Sequence, residues 1–306
     1  MAKILTILMI VLVAVLSGCS AEDKTPLPKA QYIEANVCVT PRAATAITEG
    51  VMERFQPGLK EIAGIEEIKI CEDLTFRGIP VPAAAINSDG KTVIYVDARA
   101  PLKIDVSFTH ELFHAIEFQY PVDEDAWAQI NPYESYMSDT ASPGEIVRYT
   151  PNMTPAFEPG FVSDYARFSG MEDRAELFTA LYSGRELRPK ERAALMSDTY
   201  LLKKITFLKG YLENAGLVCG LEDNLFLETN FTCSLYKLTR PELVRTGPTE
   251  AYPPAKLIAG QVLADSGFEK DGIKMLYDCE SGFRRVYAPP SALEPLESTT
   301  LCVFPK

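Results

Sequence analysis

Apolar and polar positions change period several times along the chain, and each change marks a different kind of element. Alanines and apolar residues between Ala43 and Leu59 suggest a helix, and Glu66 to Cys71 then alternates acid and apolar like a short strand. Ala83 to Asn87 and Thr92 to Asp97 flank the turn residues Ser88-Asp89-Gly90 and read as a hairpin. Ile104, Phe108, Leu112, Ala115 and Ile116 then recur at helical spacing, with Asp105 and Ser107 ahead of them as caps. A second helix follows the Ser169-Gly170 break, where Met171, Ala175, Phe178 and Leu181 share a face that packs on the first.

Between these two helices, Gln119 to Phe161 is rich in proline, aromatic and acidic residues and has little periodicity. A loop region this long in a compact domain is often functional, so it is expected to line or cover a cleft, with Trp127 packed there. Leu187 to Ala215 reads as one helix ending at Gly216, amphipathic through Lys204, Phe207, Leu208, Tyr211 and Leu212. Beyond Cys219 the texture becomes short runs broken by Pro241, Pro248, Pro253 and Pro254. Ile273 to Cys279, Arg284 to Ala288 and Thr299 to Phe304 read there as strands.

Lys3 and the apolar run Ile4 to Leu16 form a charged and then greasy start, too short for a comfortable membrane span. Residues 1–18 therefore read as a signal peptide. Leu16-Ser17-Gly18-Cys19 resembles a bacterial lipobox, which implies cleavage before Cys19 and a lipid anchor on that cysteine. Ser20 in place of aspartate after it resembles the Gram-negative sorting pattern for the outer membrane. Residues 19–31, polar and with Pro26 and Pro28, read as a tether.

Both histidines of the protein lie in Thr109-His110-Glu111-Leu112-Phe113-His114, four residues apart with a glutamate between them. This is the HExxH pattern. On a helix, residues four apart stack on one face and can direct two imidazoles at one metal ion. Glu111, one residue aside, can reach a water on that metal without being a ligand, as a hydrolytic zinc site requires. Catalytic zinc usually takes three protein ligands. The third histidine of the metzincin spacing is absent, because Glu117 and Tyr120 stand where that pattern has glycine and histidine.

Two carboxylates compete for the third place. Glu172 and Glu176 share a face of the second helix, so one can bind zinc while the other accepts the spare N–H of a ligating histidine. Glu134, twenty residues after His114, matches the thermolysin-like separation, but Ser138 stands where that pattern has aspartate, and Pro143 and Gly144 cut its helix short. The helix signals favour Glu172.

The stretch Tyr165-Ala166 followed by Glu172-Asp173-Arg174-Ala175-Glu176 resembles the gluzincin-type zinc-binding metallopeptidases whose signature is a tyrosine and alanine followed by Glu-Asp-x-Ala-Glu. It is also similar to the lethal-factor type, in which a tyrosine lies seven residues before the glutamate ligand. The resemblance covers the two helices only. It implies a zincin-like α+β domain over 32–216 with His110, His114 and Glu172 as ligands of one Zn2+ and Glu176 behind them. Glu111 would be the base and Tyr165 a donor to the oxyanion. An edge strand that pairs with extended substrate is common in that fold and is expected within Thr92 to Asp97.

Forty-two acids against thirty bases give a net charge of −12, and loss of Lys3 with the signal peptide makes it −13. Such a surface argues against a nucleic-acid partner. Of seven cysteines, six remain beside the lipidated Cys19, an even number that suits an oxidising compartment. Fifteen connectivities are open. Nearest-neighbour pairing joins Cys38 to Cys71, Cys219 to Cys233 and Cys279 to Cys302, which would staple residues 217–306 into a small β-rich region. The expected protein is an envelope-anchored zinc metallopeptidase acting on peptides or proteins. The alternative is a non-catalytic envelope lipoprotein with a structural or absent metal, acting as a binding module.

Overall fold

A computed structural model describes residues 33–35, 38, 42–55, 57–76, 78–99, 103–131, 136, 158–183, 189–217, 229–245, 254–278 and 284–304. The expected signal peptide, Cys19 and the tether lie outside these residues, as do Glu134, Cys219 and Cys279. Helices and sheets are both present, so the chain is α+β.

The hairpin forms as its turn residues require. Strand β5 (Ala83–Ser88) returns antiparallel as β6 (Lys91–Asp97) through Asp89 and Gly90, both at positive φ, 52° and 79°. A two-residue turn of this hand matches the twist of its strands, and aspartate and glycine tolerate it best. Strand β2 (Ile65–Cys71) adds parallel to the other side of β6. This overturns the expectation that Thr92 to Asp97 is an edge: β6 is the central strand, and β5 and β2 are the edges. Ile94 and Val96 of β6 are fully buried while Val93 and Tyr95 alternate outward. A small antiparallel sheet joins β1 (Ile33–Glu34), β3 (Thr75–Phe76) and β4 (Ile79–Pro80). Cys38 is disulfide-bonded to Cys71, the pairing that adjacency suggests. Cys233 is also disulfide-bonded.

The first expected helix divides into α1 (Arg42–Met52) and a single turn, α2 (Leu59–Ile62). Helix α3 (Ile104–Gln119) packs on β5 and β6, and every residue from Val106 to Glu117 is buried. Neither expected cap acts. Lys103 occupies the extended N-cap position, Asp105 lies in the first turn, where its charge favours the helix dipole, and Ser107 is inside the helix. At the far end Gln119 donates to the Gly90 carbonyl (2.9 Å), and a Cβ on Gly64, at φ +62°, would collide with both. Sheet and helix therefore meet too closely there for any side chain.

Among the described residues of the loop region between the two main helices is one short helix, α4 (Glu124–Ala128), capped by Asp123, which accepts from Ala126 N–H at 3.0 Å. Helix α5 (Gly170–Tyr182) starts at Ser169, whose hydroxyl accepts from Glu172 N–H at 3.2 Å. It crosses α3 through Phe113 and Phe178, ring centroids 4.9 Å apart, and Phe55 stacks on Phe178 at 5.6 Å. The single helix expected over 187–215 is two, α6 (Pro189–Met196) and α7 (Thr199–Asn214). Asp198 breaks them by capping α7, accepting from the N–H of Tyr200 (2.9 Å) and Leu201 (3.1 Å).

Seven antiparallel strands follow in the order β13-β7-β10-β11-β12-β8-β9. They are β7 (Thr229–Leu238), β8 (Glu242–Arg245), β9 (Pro254–Leu257), β10 (Val262–Lys270), β11 (Ile273–Asp278), β12 (Arg284–Ala288) and β13 (Leu293–Phe304). Leu263, Leu276 and Val286 cluster on one face, whereas Cys233, Ala264 and Tyr277 pack with Ala193 of α6 on the other. Arg285 reaches back to Asp198 at 3.1 Å. No helix among the described residues is long and apolar enough to cross a membrane.

Helix α5 carries charge into the interior. Asp173 and Lys204 of α7, both without solvent exposure, pair at 2.6 Å. Trp127 Nε1–H and the Tyr136 hydroxyl also donate to Asp173, at 3.2 and 2.9 Å, and Lys204 donates to the Gly160 carbonyl. Removing one member of a buried pair strands the other in a medium that cannot solvate it. Lys204→Met is therefore expected to cost about 3–5 kcal/mol in urea denaturation, with part of the loss recovered when Asp173→Asn is added.

Candidate metal centre

The seam between α3 and α5 brings the expected ligands together. His110 and His114 stack one turn apart, and their Nε2 atoms lie 3.1 Å from each other. Oε2 of Glu172 lies 2.9 Å from His110 Nε2 and 3.5 Å from His114 Nε2. Tetrahedral zinc with bonds of about 2.0–2.1 Å holds its donor atoms about 3.3–3.4 Å apart, so two imidazole nitrogens and one carboxylate oxygen at these separations fit such an ion. Among the described residues this donor set has three members.

Each ring points its other nitrogen away from that centre. His110 Nδ1 meets Glu176 Oε1 at 2.9 Å, and Ser163 donates its hydroxyl to Glu176 Oε2 at 2.6 Å. Ser163 is itself fixed, accepting from Ala166 N–H at 3.1 Å. Glu176 is completely buried, so its ordered oxygens hold the His110 ring in place. His114 Nδ1 faces Glu117 Oε2 across 3.7 Å. Glu117 is gripped through Oε1 by the Arg174 guanidinium, which forks onto both oxygens of Glu124 at 2.8 and 2.6 Å.

Glu111 flanks the cluster, 8% exposed, beside the backbone of Ala85 on β5, whose N–H favours the charged form of its carboxyl. Burial pushes its carboxyl upward, partly offset by the two histidines. The pairing explains why Ala85 is free to donate. Asp97 N–H bonds Pro82 O, and Ala83 stands opposite Val96, so Ala84 and Ile86 take the next hydrogen-bonded places against β6. The N–H and C=O groups of Ala83, Ala85 and Asn87 then face the open edge, where no strand pairs with β5 among the described residues. Tyr165, in a short 3₁₀ turn ahead of α5, lies with its ring centroid 6.0 Å from that of His110.

Of the residues singled out in the sequence, His110, His114, Glu172, Glu176, Glu111 and Tyr165 are gathered here. Glu134 lies outside the described residues. Glu117, Ser163 and Arg174 are given no role at the site by the sequence alone. The first could have been found, since Glu117 follows His114 by one helical turn. Arg174 carried a weaker signal, a guanidinium inside a helix whose neighbours are apolar.

In the metal-free chain the acids dominate the histidines. Burial alone would lower His114, but the Glu117 and Glu172 carboxylates outweigh it and hold the imidazolium up to about 9. His110 is raised in the same way by Glu172 and Glu176, and Glu172 is pushed well below the usual carboxylate range. A histidine raised above its unfolded value of about 6.5 stabilises the fold fully below that pH and loses the contribution as pH climbs through its folded value. Zinc-free protein is thus expected to lose on the order of 1–3 kcal/mol between pH 6.5 and 9 by urea denaturation, with Glu172→Gln flattening the profile. Comparison with protein-family models, curated proteins and solved structures finds no match to this chain, so any functional reading rests on the geometry of this centre.

Proposed function

We propose that the chain is a zinc-dependent metallopeptidase of the gluzincin type, with a zincin-like catalytic domain over 32–216 and a β-rich region over 217–306. The observation that carries the reading is the convergence of His110 Nε2, His114 Nε2 and Glu172 Oε2 beside a buried Glu111 that is not one of them. A purely structural site has no use for a base and usually closes with four protein ligands.

His110, His114 and Glu172 would hold the ion. Bound there, zinc supplies a Lewis acid for the scissile carbonyl and activates water near neutral pH. Glu111 takes the proton of the attacking water and returns it to the leaving amine, and its raised carboxyl suits that exchange. The Ala85 N–H keeps the carboxylate aimed. The backbone N–H and C=O of Ala83, which face away from β6 on strand β5, offer an extended peptide hydrogen-bond partners in place of the edge expected on β6. Tyr165 donates its hydroxyl to the oxyanion as the carbonyl becomes tetrahedral. The lipobox-like Leu16 to Cys19 supports a lipid anchor on Cys19 and an envelope location, at the outer membrane, with peptides or proteins as substrate.

The test is metal content and peptide hydrolysis of a soluble chain beginning at Ser20. About one zinc per chain is expected, with Glu172→Ala losing it. Glu111→Gln is expected to keep the metal and lose about 10²–10⁴-fold in hydrolysis. A chain that takes up no zinc on titration overturns the reading, and equal turnover by the Glu111→Gln protein overturns the mechanism.

A further inference from the structure

The two rings of the metal centre are built alike at their inner nitrogens and unlike at their outer ones. His110 Nδ1 has a carboxylate at 2.9 Å, whereas His114 Nδ1 is buried without a hydrogen-bond partner among the described residues. Oε2 of Glu117 is likewise buried and without one, and it is the acid that faces His114 Nδ1, at 3.7 Å. Two orphaned polar atoms of complementary kind, buried side by side, each cost the fold a desolvation penalty that one short approach removes.

We propose that Glu117, clamped by Arg174, is the positioning residue for His114: its Oε2 accepts the Nδ1 proton and leaves Nε2 as the nitrogen turned to the metal. The inference rests on the metal-centre reading above. Which nitrogen of a neutral imidazole carries the proton is decided by the hydrogen bond that the other one makes, and among the described residues Glu117 is the acid that faces His114 Nδ1. Position on the helix fits, since side chains three apart are neighbours on one face. Arg174 supplies what a lone buried acid lacks. Its guanidinium neutralises the carboxylate and occupies Oε1, so Oε2 alone is left for the ring. The other end of Arg174 is tied to Glu124, so the aim of His114 is set jointly by α3, α5 and α4. Glu117 touches no reacting group and acts only through His114.

The experiment measures zinc affinity by chelator competition for the full soluble chain, beside the thermal midpoint of each zinc-free variant. Glu117→Gln is expected to weaken zinc about 10- to 100-fold, and Glu117→Asp less. Asp125→Asn, at an exposed acid of α4 outside the Glu117–Arg174–Glu124 chain, is expected to stay within about twofold of wild type. Affinity unchanged in Glu117→Gln, or lost only in step with the thermal midpoint across all three variants, overturns the inference. The chain has two histidines, so selective ¹⁵N labelling gives two ring systems to follow. In zinc-loaded wild type, His114 is expected to carry an exchange-protected Nδ1 proton. Metal on Nδ1, or a freely exchanging proton there, overturns the inference even if no Glu117 variant folds. Failure of wild type to bind zinc would instead remove the metallopeptidase reading and this inference with it.

Discussion

Charge buried in the seam between α3 and α5 is the constraint on which the rest of the helical part of the chain depends. Within five consecutive positions α5 places Glu172, Asp173, Arg174 and Glu176, and the last three are essentially closed to water. Each must find a counter-charge or donors inside the protein, and together they draw these from α3, α4, α7 and the Ser163 turn. Glu176 answers to His110 and Ser163, Asp173 to Lys204 on α7, and Arg174 to Glu117 on α3 and Glu124 on α4. Apolar packing such as Phe113 on Phe178 brings the helices together but would tolerate sliding. The ion pairs do not, because a shift of an ångström or two would leave a charge stranded.

The sheet adds the second coordinate. Because β2 joins β6 on one side and β5 on the other, the last strand before α3 is enclosed and the one before it is left open. Glu111 lies beside that open strand at Ala85, so the acid next to the histidines and the strand edge adjoin one another. Gly64 keeps the arrangement tight at the opposite end of α3.

What the sequence displayed of this was governed by distance along the chain. His110 with His114, Glu172 with Glu176 and the Asp89-Gly90 turn are short-range patterns, and their geometry follows from one helix or one hairpin. Glu117 with Arg174 and Asp173 with Lys204 are 57 and 31 residues apart, and no local period announces them. The edge was misplaced for the same reason: a hairpin pattern says that β5 and β6 pair but not which of them β2 will join. The break at Asp198 was legible in principle, since an aspartate before threonine is a helix start. The apolar run across it, continuous in period, concealed it. Strand β7 pairs with β10 and β13 across long separations in a sheet with buried clusters on both faces, which removes the simple alternation a strand usually shows.

Asp198 also bears on how this chain can be divided. Its carboxylate caps α7, receives the Gly160 N–H at 2.6 Å, and is met by Arg285 from the C-terminal sheet. Gly160 in turn receives Lys204, the partner of Asp173 next to Glu172. A chain shortened after α7 would therefore lose an arginine from the root of its own helical scaffold and lay bare the Ala193 surface. The β-rich half is in this sense a buttress rather than an appendage, and recombination that exchanged it for another module would have to bring a cation to the same spot.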